Sequence, residues 1–339
     1  MKTVLTIALL VVCPRLYGQN AKVFTNLARS SGLPASSITA ITQDQTGFIW
    51  IGSKNGLNKY DGSKFTHYHT GNSSMVSNDI TCLLTAYDGT VWIGFNSGGL
   101  LKYNPLTDDF ENSSSKVFGR EATIRALYQK DSSRLWAISG QRIVNVLNAA
   151  EQLNVVNSTA INSKNQYFTT MVFSEGHYWV GTNYGSLIKI SEEAPDIFFP
   201  ISDQDSRAVN IVFDVLTTGK NQLLVATQNN GLLTMDIVSG RFSKTAVNAE
   251  IIRALHKDYL GRIWIATDGN GLFQMDKTGS LHNYRHTYGN KTAIASNAIY
   301  CIFEDRDHNI WLGTAWDGVS IIDHRSERYN YYHSDFLGE

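Results

Sequence analysis

One short stretch constrains the fold more than any other feature of the sequence. Phe48-Ile49-Trp50-Ile51-Gly52, preceded by Asp44-Gln45-Thr46-Gly47, returns as Val91-Trp92-Ile93-Gly94 and as Ile310-Trp311-Leu312-Gly313. Aligned on the tryptophan, the series is Trp50, Trp92, Trp136, Trp179, Leu224, Trp264 and Trp311, at intervals of 40 to 47 residues. A second half repeats with it: Gly56-Leu57-Asn58-Lys59-Tyr60-Asp61, Gly99–Asn104, Gly231–Asp236, Gly271–Asp276 and Gly318–Asp323, with degenerate copies at Arg142–Val146 and Gly185–Ile190. Seven units of this length are the signature of propeller blades.

Each unit reads as four short strands bounded by Gly, Asn, Asp or Ser, and no segment sustains a helical period. The first strands are expected at Ile38–Thr42, Ile80–Leu84, Ile124–Tyr128, Phe168–Phe173, Ile211–Leu216, Ile252–His256 and Ile299–Phe303. The second carries the tryptophan, the third the Gly-Leu stretch, and the fourth aromatic pairs such as Phe65 and Tyr68. Four-stranded meanders with two apolar faces and open edges are satisfied by radial stacking, so the fold expected is an all-β, seven-bladed propeller of four-stranded antiparallel blades. Ala40, Cys82, Ala126, Ala254 and Cys301 share one aligned position, where a small side chain lets blades converge and leaves the tryptophan to fill the wider gap outside. Val23–Leu27 has the spacing of an outermost strand and is expected to complete the last blade, with Arg328–His333 leading onward.

Length alone would allow two or three domains, but closed β folds run past 250 residues as one. The 339 residues are 42% hydrophobic and only 17% charged, with net charge −1 and no basic block, which excludes a nucleic-acid or anionic-membrane surface as the organising feature. Residues 1–18 read as a signal peptide: Lys2, the apolar run Val4–Val12, and Leu16-Tyr17-Gly18 at the cleavage point. That run is too short to span a bilayer. The propeller is then expected over 19–333 and the start of a linker over 334–339. Cys82 and Cys301 fall at the same place in different units and read as buried small side chains rather than a disulfide.

The pattern Ile-x-x-Ile-x-x-Asp-x-x-Gly-x-Ile-Trp-Ile-Gly-Thr-x-x-Gly-Leu-x-x-Tyr-Asp resembles the two-component regulator propeller repeat. Ile38–Asp61 and Ile299–Asp323 match it most fully, and Gly32–Ser37 resembles that family's lead-in segment. The resemblance spans roughly 22–333. It implies the periplasmic sensor region of a Bacteroidetes-type hybrid histidine kinase, with an oligosaccharide from a complex glycan as ligand. The partners it implies are a second propeller, an immunoglobulin-like domain and a kinase of the same full-length protein in the inner membrane, with a homodimer formed through those further regions. This chain corresponds to about one propeller and its signal peptide.

Candidate ligand-binding residues come from two sets of loops that strand alternation puts on one face: those between second and third strands, and those leading into each first strand. The first set supplies Asn96, Tyr184, Asn229, Asn270, Trp316 and Asp317; the second supplies Arg285 and Tyr288, beside the aligned Asn78, Asn210 and Asn297. Planar amides suit sugar hydroxyls and aromatic rings suit apolar sugar faces. Asn and Asp are also what tight turns demand, so Trp316 and Tyr184 weigh more than any one amide. Arg125 and Arg253 align in two first strands; each suits either an anionic ligand or an internal ion pair.

The repeated Asp44, Asp131, Asp258 and Asp305 read as turn caps, not catalysts. Asp305-x-Asp307-x-Asn309 lacks the Gly and Glu of a calcium loop. The repeat spacing differs from the sialidase Asp-box. No catalytic motif, metal set or cofactor loop is present in the sequence pattern, so no catalytic residue, metal or cofactor is expected. The functional reading is a non-enzymatic sensor. The alternatives are a propeller lyase or glycoside hydrolase, whose paired acids come from distant blades, and a protein-interaction scaffold.

Overall fold

The computed structural model describes residues 22–113, 118, 122–148, 152–153, 166–190, 196–201 and 210–325. The expected signal peptide, the Arg328–His333 strand and the 334–339 linker lie outside the described residues. The chain folds into seven four-stranded antiparallel sheets. Blade 1 comprises Ile38–Gln43, Ile49–Ser53, Gly56–Tyr60 and Phe65–Tyr68, and each later unit repeats this meander. The innermost strands, Ile38–Gln43, Ile80–Thr85, Ala126–Asp131, Phe168–Ser174, Val212–Gly219, Ile252–Lys257 and Ile299–Glu304, each touch the next one round, and the last touches the first. The ring is closed.

Its closure uses the N-terminal strand. Phe24–Leu27 pairs antiparallel with Val319–Ile322 and becomes the outermost strand of blade 7, as its aromatic spacing predicts. Phe24 is buried and meets the Tyr284 ring edge-on at 5.9 Å, while Asn26 is held by Ala293 O at 2.9 Å and Ser320 Oγ at 2.7 Å.

The core is not central. Seven apolar clusters lie astride the seven seams, so each sheet buries both faces against its neighbours. The residue at each blade's motif tryptophan position, Leu224 in blade 5, supplies the wide part of its seam: Trp50 packs with Ile80 and Phe95 of blade 2, and Trp264 with Ile299 and Leu312 of blade 7. Three of these indoles donate to the aspartate six residues earlier: Trp50 to Asp44 at 2.8 Å, Trp264 to Asp258 at 2.8 Å and Trp311 to Asp305 at 2.7 Å. The other carboxylate oxygen caps the hairpin, as where Asp44 accepts from Thr46 N and Phe48 N. The capping role read from the sequence is therefore correct, with the indole as an added partner. Asp131 caps Ser133 and pairs with Arg134 at 3.9 Å rather than with an indole, and Trp136 donates instead to Tyr178 Oη at 3.2 Å.

Closer to the axis the seams narrow. A Cβ added to Gly52 would lie 2.7 Å from Ile80 of the next blade, and one on Gly94 would lie 2.5 Å from Cys82 Sγ and 2.9 Å from Ile124. In several blades the cross-strand partners trade volume here: Cys82, Cys301 and Thr170 face Gly94, Gly313 and Gly181, whereas Ala126 faces Ile138 and Ala254 faces Ala266; in blade 1 both are small, Ala40 facing Gly52. Both thiols are free, and burial pushes each up to about 12. Serine or threonine at the end of the tryptophan strand closes the following hairpin by donating to a glycine carbonyl, as in Ser53 to Gly56 O and Thr267 to Gly271 O.

Two outcomes check this account. Gly94→Ala destabilises the fold by about 1–3 kcal/mol through overpacking, and Cys82→Ala in the same chain recovers part of that loss in chemical denaturation. Purely additive effects would exclude the volume trade. Deleting residues 20–28 lowers the unfolding midpoint, because blade 7 loses its edge and Phe24 its seat; an unchanged midpoint would mean that the strand does not close the ring.

Candidate functional site

The loops between second and third strands and the segments leading into first strands do share one face. Asn96 N donates to Asp79 O, Gln228 N to Ile211 O, Asp268 N to Ile251 O and Ala315 N to Ala298 O, each within one blade. Further bonds stitch each hairpin to the lead-in of the next blade, such as Gly231 N to Glu250 O and Gly271 N to Asn297 O. Glycines 231, 271 and 318 have positive φ at these stitches.

On this face the predicted residues separate into three groups. Trp316 and Tyr288 stand out from the surface, 71% and 98% exposed, and Arg285 is exposed beside them in the segment between blades 6 and 7. Asp317 is exposed, and its backbone N–H is fixed by Thr314 Oγ1 at 3.0 Å. Other residues hold loops: the backbone N–H of Asn270 donates to Thr267 Oγ1, that of Asn229 to Asn210 Oδ1, and Asn96 Nδ2 to Asp79 Oδ2 at 3.0 Å. Asn78 and Asn297 likewise accept from Thr70 N and His286 N. For the three aligned asparagines the turn chemistry is the structural role. The third group is half-buried. Tyr184 has its hydroxyl enclosed next to Thr182, and burial pushes its ionisation up to about 12. Arg253 is tied to Asp268, with Nε at 3.0 Å and Nη2 at 2.6 Å, and packs between Phe213 at 4.4 Å and Tyr300 at 4.7 Å.

The position of Arg253 is the one the sequence reading underused. It is the second residue of its strand, aligned with Thr39, Thr81, Arg125, Thr169, Phe213 and Tyr300. In six of the seven blades the strand register slips here. A bulge leaves one residue out of the ladder and re-aims its side chain. The signal in the sequence was the breakdown of repetition: Thr, Thr, Arg, Thr, Phe, Arg, Tyr, directly after a near-invariant Ile or Val. On the same face several enclosed polar atoms have no hydrogen-bond partner. They are Arg125 Nε in blade 3, Gln166 Oε1 leading into blade 4, and Asn210 Nδ2 and Gln228 Oε1 in blade 5. Buried polar groups are normally paired, so an arc of unsatisfied ones is where a ligand or ordered water has most to gain.

An open cleft of about 370 Å³ lies on the opposite face between blades 7, 1 and 2. Its polar groups are already engaged: Thr42 with Thr85 at 2.9 Å, and Arg306 with Gln45 O at 2.7 Å. Beside it, Glu304 bridges His256 Nε2 and His308 Nδ1, each at 2.9 Å; Tyr259 stacks on His308 and meets His324 through its hydroxyl. Asp305 is filled by Asn309 and Trp311, which disposes of the calcium-like reading. Among the described residues no group of three or more His, Cys, Asp or Glu side chains is arranged to hold a metal.

Asp214 is the other departure from the repeat, standing where blades 1, 3 and 6 have alanine. It accepts from Leu255 N of the next blade at 2.8 Å and from Val215 N, yet enclosure by the converging strands outweighs these bonds and pushes its carboxyl up to about 6.

Residues 32–55 and 293–316 match the sequence profile described as two component regulator propeller. A 54-residue stretch is 43% identical to histidine kinase P4 of Formosa agariphila, covering 16% of this chain and 4% of that protein. The extracellular domains of two Bacteroides thetaiotaomicron two component systems superpose well: BT3049 with TM-score 0.74 and 21% identity over 89% of this chain, and BT4673 with TM-score 0.73 and 24% identity over 89%. This chain spans 42% and 40% of those structures. Virginiamycin B lyase from Staphylococcus aureus shares the architecture at TM-score 0.64 and 14% identity, over 88% of this chain and 97% of its own. The protein is a seven-bladed propeller, two stretches of which match the two-component regulator propeller profile. At these identities the solved structures speak for the fold and not for a ligand.

The buried carboxylate makes a checkable claim about pH. A carboxyl raised from 3.8 to about 6 in the folded state favours folding while protonated. That contribution is present in full below the unfolded-state value and is lost as pH rises through about 6. The Tm of Asp214→Ala relative to wild type therefore increases between pH 5 and pH 7.5 in thermal melts; a constant difference would show that Asp214 does not titrate in this range.

Proposed function

We propose that this propeller is the periplasmic ligand-sensing region of a hybrid two-component system. In this reading it binds a glycan-derived oligosaccharide on the face described above and passes a change in domain packing to a downstream kinase, without catalysing a reaction itself. The observation that carries the proposal is the division of that face. The repeated residues are spent on hairpins and seams, while the unrepeated ones are aromatic, amide or cationic, and several have no partner. Exposed Trp316 and Tyr288 and half-buried Tyr184 offer ring faces for sugar C–H groups; Gln166, Asn210 and Gln228 offer unsatisfied amide atoms for hydroxyls. The match to regulator repeats and the likeness to extracellular sensor domains support the setting. Transmission requires that the ligand bind one arrangement of neighbouring domains better than another.

A catalytic reading rests on a different place. The Glu304, His256 and His308 cluster with Tyr259 and His324 has acid–base capacity and sits beside the cleft. Glu304, however, is already bound by both imidazoles and by Tyr259 N, which favours a clasp between blades 6 and 7.

Calorimetric titration against neutral and acidic oligosaccharides is the test. Binding without release of reducing sugar is expected, and Trp316→Ala lowers affinity by about 10-fold, equivalent to about 1.4 kcal/mol. Turnover that disappears in Glu304→Gln would replace the sensor reading with an enzymatic one.

A further inference from the structure

The two arginines at this aligned position, Arg253 at a register slip and Arg125 just before the first strand of blade 3, are in opposite situations, and the occupied one shows what the other lacks. Arg253 has an internal carboxylate: Asp268, four residues after Trp264 in the adjacent hairpin, bonds both Nε and Nη2. The aligned hairpin residues in the other blades are Lys54, Asn96, Gly140, Asn183, Gln228 and Ala315. Asp268 is the sole acid of the set. Beside Arg125 the position is Gly140, at φ +60 with open space where a side chain would stand. The Arg125 side chain has no hydrogen-bond or ion-pair partner among the described residues, although its Nε is enclosed. It is nonetheless held in place, its guanidinium carbon 3.6 Å from the centroid of the Tyr167 ring.

An enclosed guanidinium donor without an acceptor is costly, and an oxyanion that presents two oxygens side by side matches the guanidinium fork in both charge and geometry. Stacking on Tyr167 orients the fork before any ligand arrives, which reduces the entropy lost on binding. Gln166, next in sequence to Tyr167, adds an unpartnered amide oxygen on the same segment, suited to a hydroxyl beside the anion.

We infer that Arg125, seated on Tyr167 with the aligned hairpin position left open at Gly140, is the subsite for an anionic group of the ligand, a carboxylate or sulfate ester on a sugar. This deepens the glycan reading given above and rests on it for the sugar, but the anion site stands on its own geometry. It also assigns Arg253 a structural role: the same residue type with its counter-charge built in.

The test follows the Arg125 Nε–H resonance in ¹⁵N–¹H spectra, assigned by its absence in Arg125→Gln. Inorganic sulfate, a galacturonate disaccharide, its carboxyl-reduced counterpart and a sulfated galactose disaccharide are titrated in turn. Anionic probes are expected to shift the resonance and the carboxyl-reduced sugar to leave it in place. Arg125→Gln weakens the anionic sugar by about 10- to 100-fold, as loss of hydrogen bonds to a charged group predicts. Arg125→Lys, which keeps the charge without the fork, recovers part of the affinity. A carboxylate ligand shifts the resonance more strongly than the sulfated sugar, and a sulfate-ester ligand does the reverse. Binding of neutral sugar with no response to any anion overturns the inference and leaves the glycan reading intact. A response to sulfate with no saccharide bound upholds the anion subsite and overturns the glycan reading.

Discussion

The close approach of neighbouring blades near the axis is the constraint on which the rest of the structure depends. Four of the seven second strands carry glycine at the point of convergence, and a methyl group on Gly52 or Gly94 would overlap the first apolar residue of the next blade. That contact sets how near the innermost strands lie. Their spacing then fixes the wedge that Trp50, Trp92, Trp136, Trp179, Leu224, Trp264 and Trp311 fill further out. Because each blade has an apolar face on either side, no blade is satisfied until both neighbours are present. Phe24–Leu27 matters for that reason: it binds the two ends of the chain into the same sheet, and the seam between blades 6 and 7 is complete only when Phe24 is in place.

Seven-fold repetition separates architecture from function with unusual clarity. Asp44, Asp258 and Asp305 look like candidate acids in isolation, yet each spends one oxygen on a hairpin and the other on an indole. The Ser or Thr that follows the motif closes the next hairpin, and the aligned asparagines brace lead-in segments. Departures from the repeat behave differently. Asp214 places a carboxylate where other blades have a small side chain, and burial raises its ionisation. Arg253 brings its own counter-charge through Asp268, while Arg125 has none. Chemistry concentrates where a blade declines to do what its neighbours do.

Much of the fold was legible in the chain because its signals are local and repeated. The tryptophan, the glycine two residues on, and the Gly-Leu stretch are short-range patterns, and seven copies average away the uncertainty of any one. Even ring closure could be read, since an orphan strand with outer-strand spacing has one vacancy to fill. The site was less legible. Trp316, Tyr288 and Tyr184 could be placed on the right face from strand direction alone, but whether an asparagine caps a turn or awaits a ligand depends on partners from adjacent blades. Asn78, Asn210 and Asn297 accept from loop N–H groups, which no spacing rule announced.

By itself the sequence determined that this chain forms blades of four strands, that there are seven of them, and which residues line the seams, because period and apolar pattern follow from local geometry. The tertiary structure alone decided which arginine is neutralised and which is not. Arg125 and Arg253 occupy equivalent places in the pattern and differ only in what a hairpin fifteen residues away supplies, a carboxylate in one blade and an open glycine in the other. Charge pairing acts through space, and the folding of each blade is what brings its hairpin to the arginine.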